Sequence, residues 1–164
     1  MIDARIVANA VLTRADERGL TITNLDMQKV VYFLHGHFLR RHGRPLVLGE
    51  FEAWQFGPVH RVLYDAFKNF EDGPITARAD AFDPVRRKKK TLPGLDDSDA
   101  LVLLKEVLDR YLNIPTWTLV AMTHASGTPW QKTIEAGQRQ INVGMRISDE
   151  LIAERFEGVR IEAF

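Results

Sequence analysis

Few groups in this chain can do chemistry, and their spacing limits what they could do. There are five histidines. His35 and His37 lie two apart, so on a helix they point about 200° apart and cannot grip one metal ion together. His35 and His42 would share a face, but two helical turns separate them, too far for a chelating pair. No HExxH or other His/carboxylate pattern occurs. The histidines therefore read as structural or solvent-facing groups rather than metal ligands. Cysteine is absent, which removes thiolate nucleophiles, disulfides and Cys-based zinc sites and is compatible with a reducing compartment. Ser98, Ser126 and Ser148 have no GxSxG elbow around them, and two of them fall where helix caps or turns belong. No P-loop and no GxGxxG is present. Asp96, Asp97 and Asp99 suggest cation ligands at first sight, but negative charge at a helix start is accounted for by the helix dipole. The expectation is a protein without enzymatic activity, metal or cofactor.

What remains is three segments suited to contact rather than catalysis. "RRKKK" at 86–90 is the one strong charge run. A solvated loop is its simplest reading, with an acidic protein or nucleic acid as the alternative contact. No aromatic is interleaved with the run, and the acidic "DDSD" follows at 96–99, so nucleic acid is not an expected partner. The second segment, "EAWQFGPVHRVLY" at 52–64, alternates aromatic and polar residues and then breaks at Gly57-Pro58. Trp54 and Phe56 share one face of the implied strand, and Phe51, Ala53 and Gln55 share the other. Trp54 is expected to be buried, and Phe56, beside the turn, to lie near the surface. The third segment brings together Thr123, His124, Pro129 and Trp130. It reads as a packing corner in which His124 bonds to backbone near a helix end.

These segments sit on a chain of 164 residues with 45% hydrophobic and 27% charged residues, an ordinary globular composition sized for one domain. Lys+Arg and Asp+Glu balance at 22 each, which argues against general nucleic-acid binding. The N-terminus has no signal-peptide pattern, and no run approaches the roughly 18 apolar residues of a membrane span. A cytoplasmic location without membrane contact is expected.

The elements that must position the segments are mostly helical. Residues 3–18 form a first helix with Ile2, Ile6, Ala10 and Thr13 along one line and Val7 and Val11 beside it. The helix from Asn24 to His42 is capped by Thr23 with Asp26 reaching back. Met27, Val30, Val31, Leu34 and Phe38 form its buried stripe, and Gly43 ends it. A short strand covers Phe51 to Phe56, and Pro58 opens a third helix reaching about Phe70. Residues 71–95 read as a mobile loop or loose hairpin, pairing with the strand at 51–56 if it pairs at all. "DDSDALVLLKEVLDRYL" is a fourth helix buried through Leu101, Leu104, Leu108 and Leu112, widened by Val107 and Tyr111. A fifth starts at Thr116 as cap and carries Leu119, Val120 and Met122. "THASGTPW" is a turn leading into Trp130. A helix at 148–156 and a strand at 159–164 close the chain. The fold class is mainly α: a single compact helical domain of about five to six helices with a small antiparallel β element.

Three of these stretches, "ITNLDMQKVVYFLHGHFL", "EAWQFGPVHRVLY" and "THASGTPW", occur in the order seen in Panacea-domain proteins, the phage-associated GepA-like and SocA-type antitoxins. The resemblance spans about residues 5 to 155. Phe56 stands where that family often has Tyr, and His60 where it often has another Pro. The resemblance implies a helical antitoxin domain over residues 1–164 that binds a cognate protein toxin encoded beside it. Neutralisation would occur by occlusion, or by delivery of the toxin as a proteolytic adaptor to an ATP-dependent protease such as ClpXP. The alternative is a DNA-binding transcriptional regulator of its own operon, working through the basic run. The residues expected to contact a partner are Trp54, Phe56, His60, Arg61 and Tyr64 around the Gly57-Pro58 corner, with Arg86, Arg87 and Lys88 from the basic run.

Overall fold

The computed structural model of the protein describes residues 1–139 and 144–158. Helix α1 (Ala4–Glu17) leads into helix α2 (Asn24–His42), around which the rest is built. Thr23 and Asp26 form the expected reciprocal capping box, with Asp in place of the usual Glu. At the other end Gly43 takes a left-handed φ of 64° and donates to the Leu39 carbonyl. Met27, Val30, Val31, Leu34 and Phe38 are buried, but so are Gln28, Lys29, Tyr32, Phe33 and His35. The helix is therefore enclosed on nearly every side, not along one stripe.

Against α2 pack α1, α3 (Arg61–Phe67), α4 (98–112), α5 (Thr116–His124) and α7 (Asp149–Arg155). Helix α6 (Pro129–Arg139) lies on α5. Helix α1 buries Ala4, Val7, Ala8, Val11, Leu12 and Ala15, so Val7 and Val11 lie inside as expected, while the Ile2, Ile6, Ala10 and Thr13 line turns partly outward. Alanines at 4, 8 and 15 supply that face because small side chains let helices approach closely. Helix α4 contains a π turn at Leu104–Leu108 and buries Ala100, Leu103, Leu104, Val107, Leu108 and Tyr111. Leu101, expected inside, is 46% exposed. Asp97 caps this helix by accepting from Ala100 N, and Arg44 pairs with Asp97 and Asp99 at 3.3 and 2.9 Å. The acidic cluster is thus a cap and an ion-pair site.

The expected strand at 51–56 is shorter and turns back on itself. Strand β1 (Phe51–Trp54) pairs antiparallel with β2 (Gly57–His60), closing on Gln55 and Phe56, with Trp54 opposite Gly57. Pro58 therefore lies in a strand, not at the first turn of a helix, and α3 begins only at Arg61. A proline is tolerated here because β2 is an edge strand with no second neighbour to demand its missing N–H. The 71–95 region contains a separate ribbon, β3 (Asp80–Asp83) with β4 (Lys88–Thr91), and does not pair with β1. The other side of β1 is taken by β5 (Arg146–Ile147), in the order β2-β1-β5. The stretch after "THASGTP" continues as α6, where only a turn was expected. The strand expected at 159–164 lies outside the described residues. Among the described residues no helix is long and apolar enough to cross a membrane.

Candidate functional site: an aromatic groove beside the β1–β2 hairpin

Two neighbouring helices hold the β1–β2 hairpin from below through its backbone. On α2, the Gln28 side-chain carbonyl accepts from His60 N at 2.9 Å, and Lys29 Nζ donates to the Pro58 carbonyl at 2.9 Å. Asn24 extends the line, accepting from Gln28 Nε2 at 3.0 Å. From α6, Trp130 Nε1 donates to the Trp54 carbonyl at 2.8 Å. The backbone groups at the turn are therefore paired with side chains of other elements, as buried main-chain polar groups must be.

The turn depends on Gly57, which has a φ of 99°, a left-handed value that glycine alone adopts at little cost. A Cβ there would lie 2.5 Å from Thr123 Oγ1 and 3.0 Å from Lys29 Cε. Thr123 in turn donates to the Val120 carbonyl at 2.7 Å. Beside it, the His124 ring stacks on Trp130 at 3.9 Å between centroids. Contrary to expectation, the His124 side chain has no hydrogen bond to backbone among the described residues, and its buried Nε2 is without a partner there. Burial, and secondarily the charge of Lys29, hold its imidazole below the usual histidine pKa. Lys29 is fully buried, and burial pushes its ammonium from 10.5 down to about 7.

The outer face of this hairpin borders a groove of about 890 Å³ between the start of α2, α3 and the start of α5. Trp54, Tyr64, Phe56 and Trp117 are its aromatic walls, with Lys68, Glu71 and Asp72 at its edge. The Trp54 and Tyr64 rings are 4.9 Å apart, and Trp54 Nε1 donates to Glu52 at 2.7 Å. Trp54 is thus half-buried, where full burial was expected. Arg61 lies over the Trp54 ring at 5.0 Å. Phe56 and Trp117 meet edge to face at 5.7 Å, and are 47% and 63% exposed.

Of the residues expected to touch a partner, Trp54, Phe56 and Tyr64 line this groove and Arg61 covers its Trp54 wall. His60 does not belong there. It is 2% exposed, faces Phe51, and bonds through Nε2 to the Leu48 carbonyl at 3.0 Å. The cause is that its position in β2 turns it to the core side, whereas a helical first turn would have left it outside. Arg86, Arg87 and Lys88 sit on the β3–β4 ribbon and line no part of the groove. Trp117, which also lines the groove, was not among the expected residues. Its type and neighbours match a core tryptophan, and only the structure shows its exposure. Among the described residues no group of His, Asp or Glu is arranged to hold a metal ion.

The family described as "Antitoxin SocA-like, Panacea domain" matches residues 27–131, a stretch that runs from the motif on α2 through the hairpin to the α5–α6 corner. Antitoxin SocA of Caulobacter vibrioides (strain NA1000 / CB15N) is 41% identical, over 94% of this chain and 82% of that protein. No solved structure matches the chain. The chain belongs to the SocA-like antitoxin family with a Panacea domain.

Proposed function

We propose that residues 1–164 act as one antitoxin domain that binds a cognate protein toxin through the aromatic groove. The observation that carries this reading is the exposed Phe56–Trp117 pair at the groove's rim. Large aromatics held rigid yet left in water are what binding hot spots are made of, since little side-chain entropy remains to be lost on contact. Trp54 and Tyr64 supply the floor on which an apolar toxin segment rests, and Arg61, Lys68, Glu71 and Asp72 supply a polar rim. Family membership supports the class of partner.

Binding alone serves either occlusion or delivery to an ATP-dependent protease. The two differ in the toxin's fate, so the cellular half-life of the toxin with and without this protein separates them. The primary test is co-purification with the product of the adjacent reading frame, followed by Phe56→Ala and Trp117→Ala. Each should weaken binding by about 2 kcal/mol, roughly 30-fold, while the melting temperature holds. Unchanged affinity in both variants would move the interface elsewhere.

A further inference from the structure

We propose that the β3–β4 ribbon is a contact for nucleic acid, with its cations on the phosphodiester backbone and Phe82 as a stacking platform for an unpaired base. Arg86 to Lys90 form an unbroken run of cations around the turn and along β4, and every β4 residue is exposed. Among the described residues many other surface arginines are paired with carboxylates. Arg14 and Arg18 meet Asp109, Arg41 meets Glu106, Arg44 meets Asp97 and Asp99, and Arg78 meets Asp16. On the ribbon only Arg86 has a carboxylate in range, Asp83 at 4.0 Å, the outer limit for an ion pair. Arg87, Lys88, Lys89 and Lys90 have none among the described residues.

The structure bears on two of the objections raised by the sequence; the third, a net charge of zero, leaves a local patch to carry the contact. The aromatic missing from the run is supplied by the facing strand, because the register sets Phe82 opposite Lys89. Phe82 is 65% exposed, packs on no other ring among the described residues and lies outside the core. Three of the nearby acids are occupied, whereas Asp80 and Asp96 have no ion-pair partner among the described residues. Asp97 and Asp99 hold Arg44, and Asp83 holds the turn by accepting from Val85 N and Arg86 N at 3.0 Å each. An exposed cation run beside an unpacked aromatic suits a single strand, in which a base meets the ring on the Phe82–Lys89 face and phosphates meet Lys89 and the cations of the turn, with Lys88 and Lys90 on the other face. An acidic polypeptide would use the lysines and leave Phe82 idle.

The test is fluorescence anisotropy of the full chain with labelled oligothymidylate, a single-stranded RNA and a random duplex. The single strands should bind with Kd of roughly 1–100 μM at about 50 mM salt, and five engaged cations should lower affinity on the order of 100-fold by about 200 mM. Replacing Arg87, Lys88, Lys89 and Lys90 together with Thr should abolish binding while circular dichroism stays unchanged, since these residues lie outside the core. Phe82→Ser should weaken single-strand binding about 5- to 30-fold and duplex binding little. Absence of binding at the lower salt, or full binding by the fourfold variant, would overturn the proposal. So would a Phe82→Ser effect equal on both forms, or polyglutamate competing as well per charge as oligothymidylate.

Discussion

The deepest consequence of the hairpin's support is energetic, and Lys29→Met measures it. Lys29 is fully buried. Its Nζ donates to the Pro58 carbonyl, with no carboxylate in ion-pair range among the described residues. Burial lowers its pKa from 10.5 to about 7. Between those values the unfolded chain holds a proton that the folded chain has released. More protons bound in the unfolded state means stability rises with pH through this window. Below it, the gap corresponds to roughly 5 kcal/mol set against folding. Methionine fills similar space without charge, but leaves the Pro58 carbonyl unpaired at about 1–3 kcal/mol. Near neutral pH Lys29→Met should therefore be more stable than the parent by roughly 2–3 kcal/mol. The advantage should shrink with rising pH and change sign near about pH 9. Urea unfolding of both proteins at several pH values measures this. Tyr32, whose phenol burial pushes its pKa up, is present in both and cancels in the difference. Parallel stability curves for parent and variant from neutral to alkaline pH would refute the reasoning, because Lys29 would then keep its proton in the fold.

Two further substitutions test the same corner. Gly57→Ala combines a left-handed φ of 99° with a Cβ 2.5 Å from Thr123 Oγ1, and should cost about 2–4 kcal/mol in urea unfolding; a neutral result would mean the turn relaxes freely. His60→Ala removes a buried ring and its bond to the Leu48 carbonyl, so it should destabilise the fold by about 2–4 kcal/mol while folded molecules keep their partner affinity. Lost affinity without lost stability would place His60 in the interface after all.

How much of this was legible depends on how local each signal is. The start and stop of α2 were readable because Thr23, Asp26 and Gly43 act within one turn of themselves. The inner face of α4 was ambiguous because residues 100–104 are almost all apolar, so two overlapping stripes fit the period and the wrong one has more leucines. Pro58 misled because a proline after a strand is as good a helix start as it is an edge-strand residue. The start of α6 was present as Thr128-Pro129, with Thr128 Oγ1 accepting from Gln131 N at 3.3 Å and proline at the first helical position. Strand β5 carried no local signal at all: two residues pair with Phe51 and Glu52 from nearly a hundred positions away. Gly36 was equally silent, yet a Cβ there would stand 2.3 Å from the Phe156 ring. Of the site, the hairpin aromatics could be named from sequence, but their groove could not, since Trp117 joins it only through the packing of α5 on α2.

The three segments that carried the family resemblance meet at one place, and their roles there are unequal. Gln28 and Lys29 from the first and Trp130 from the third bond to hairpin backbone, at His60, Pro58 and Trp54. These backbone groups stay the same when the side chain of Gln55 or Phe56 is exchanged. Thr123 closes against Gly57, where only a hydrogen fits. None of these contacts depends on the identity of Phe56, whose side chain projects outward to meet only Trp117 among the rings. The architecture thus separates a held turn from a presented side chain. The hairpin's position is set from beneath by buried hydrogen bonds, and the residue at its tip can change without disturbing them. Phe56 can therefore stand where the resemblance expects tyrosine without breaking any of these bonds. If the groove is the proposed interface, a change of partner would be written in its exposed rim, above the held corner.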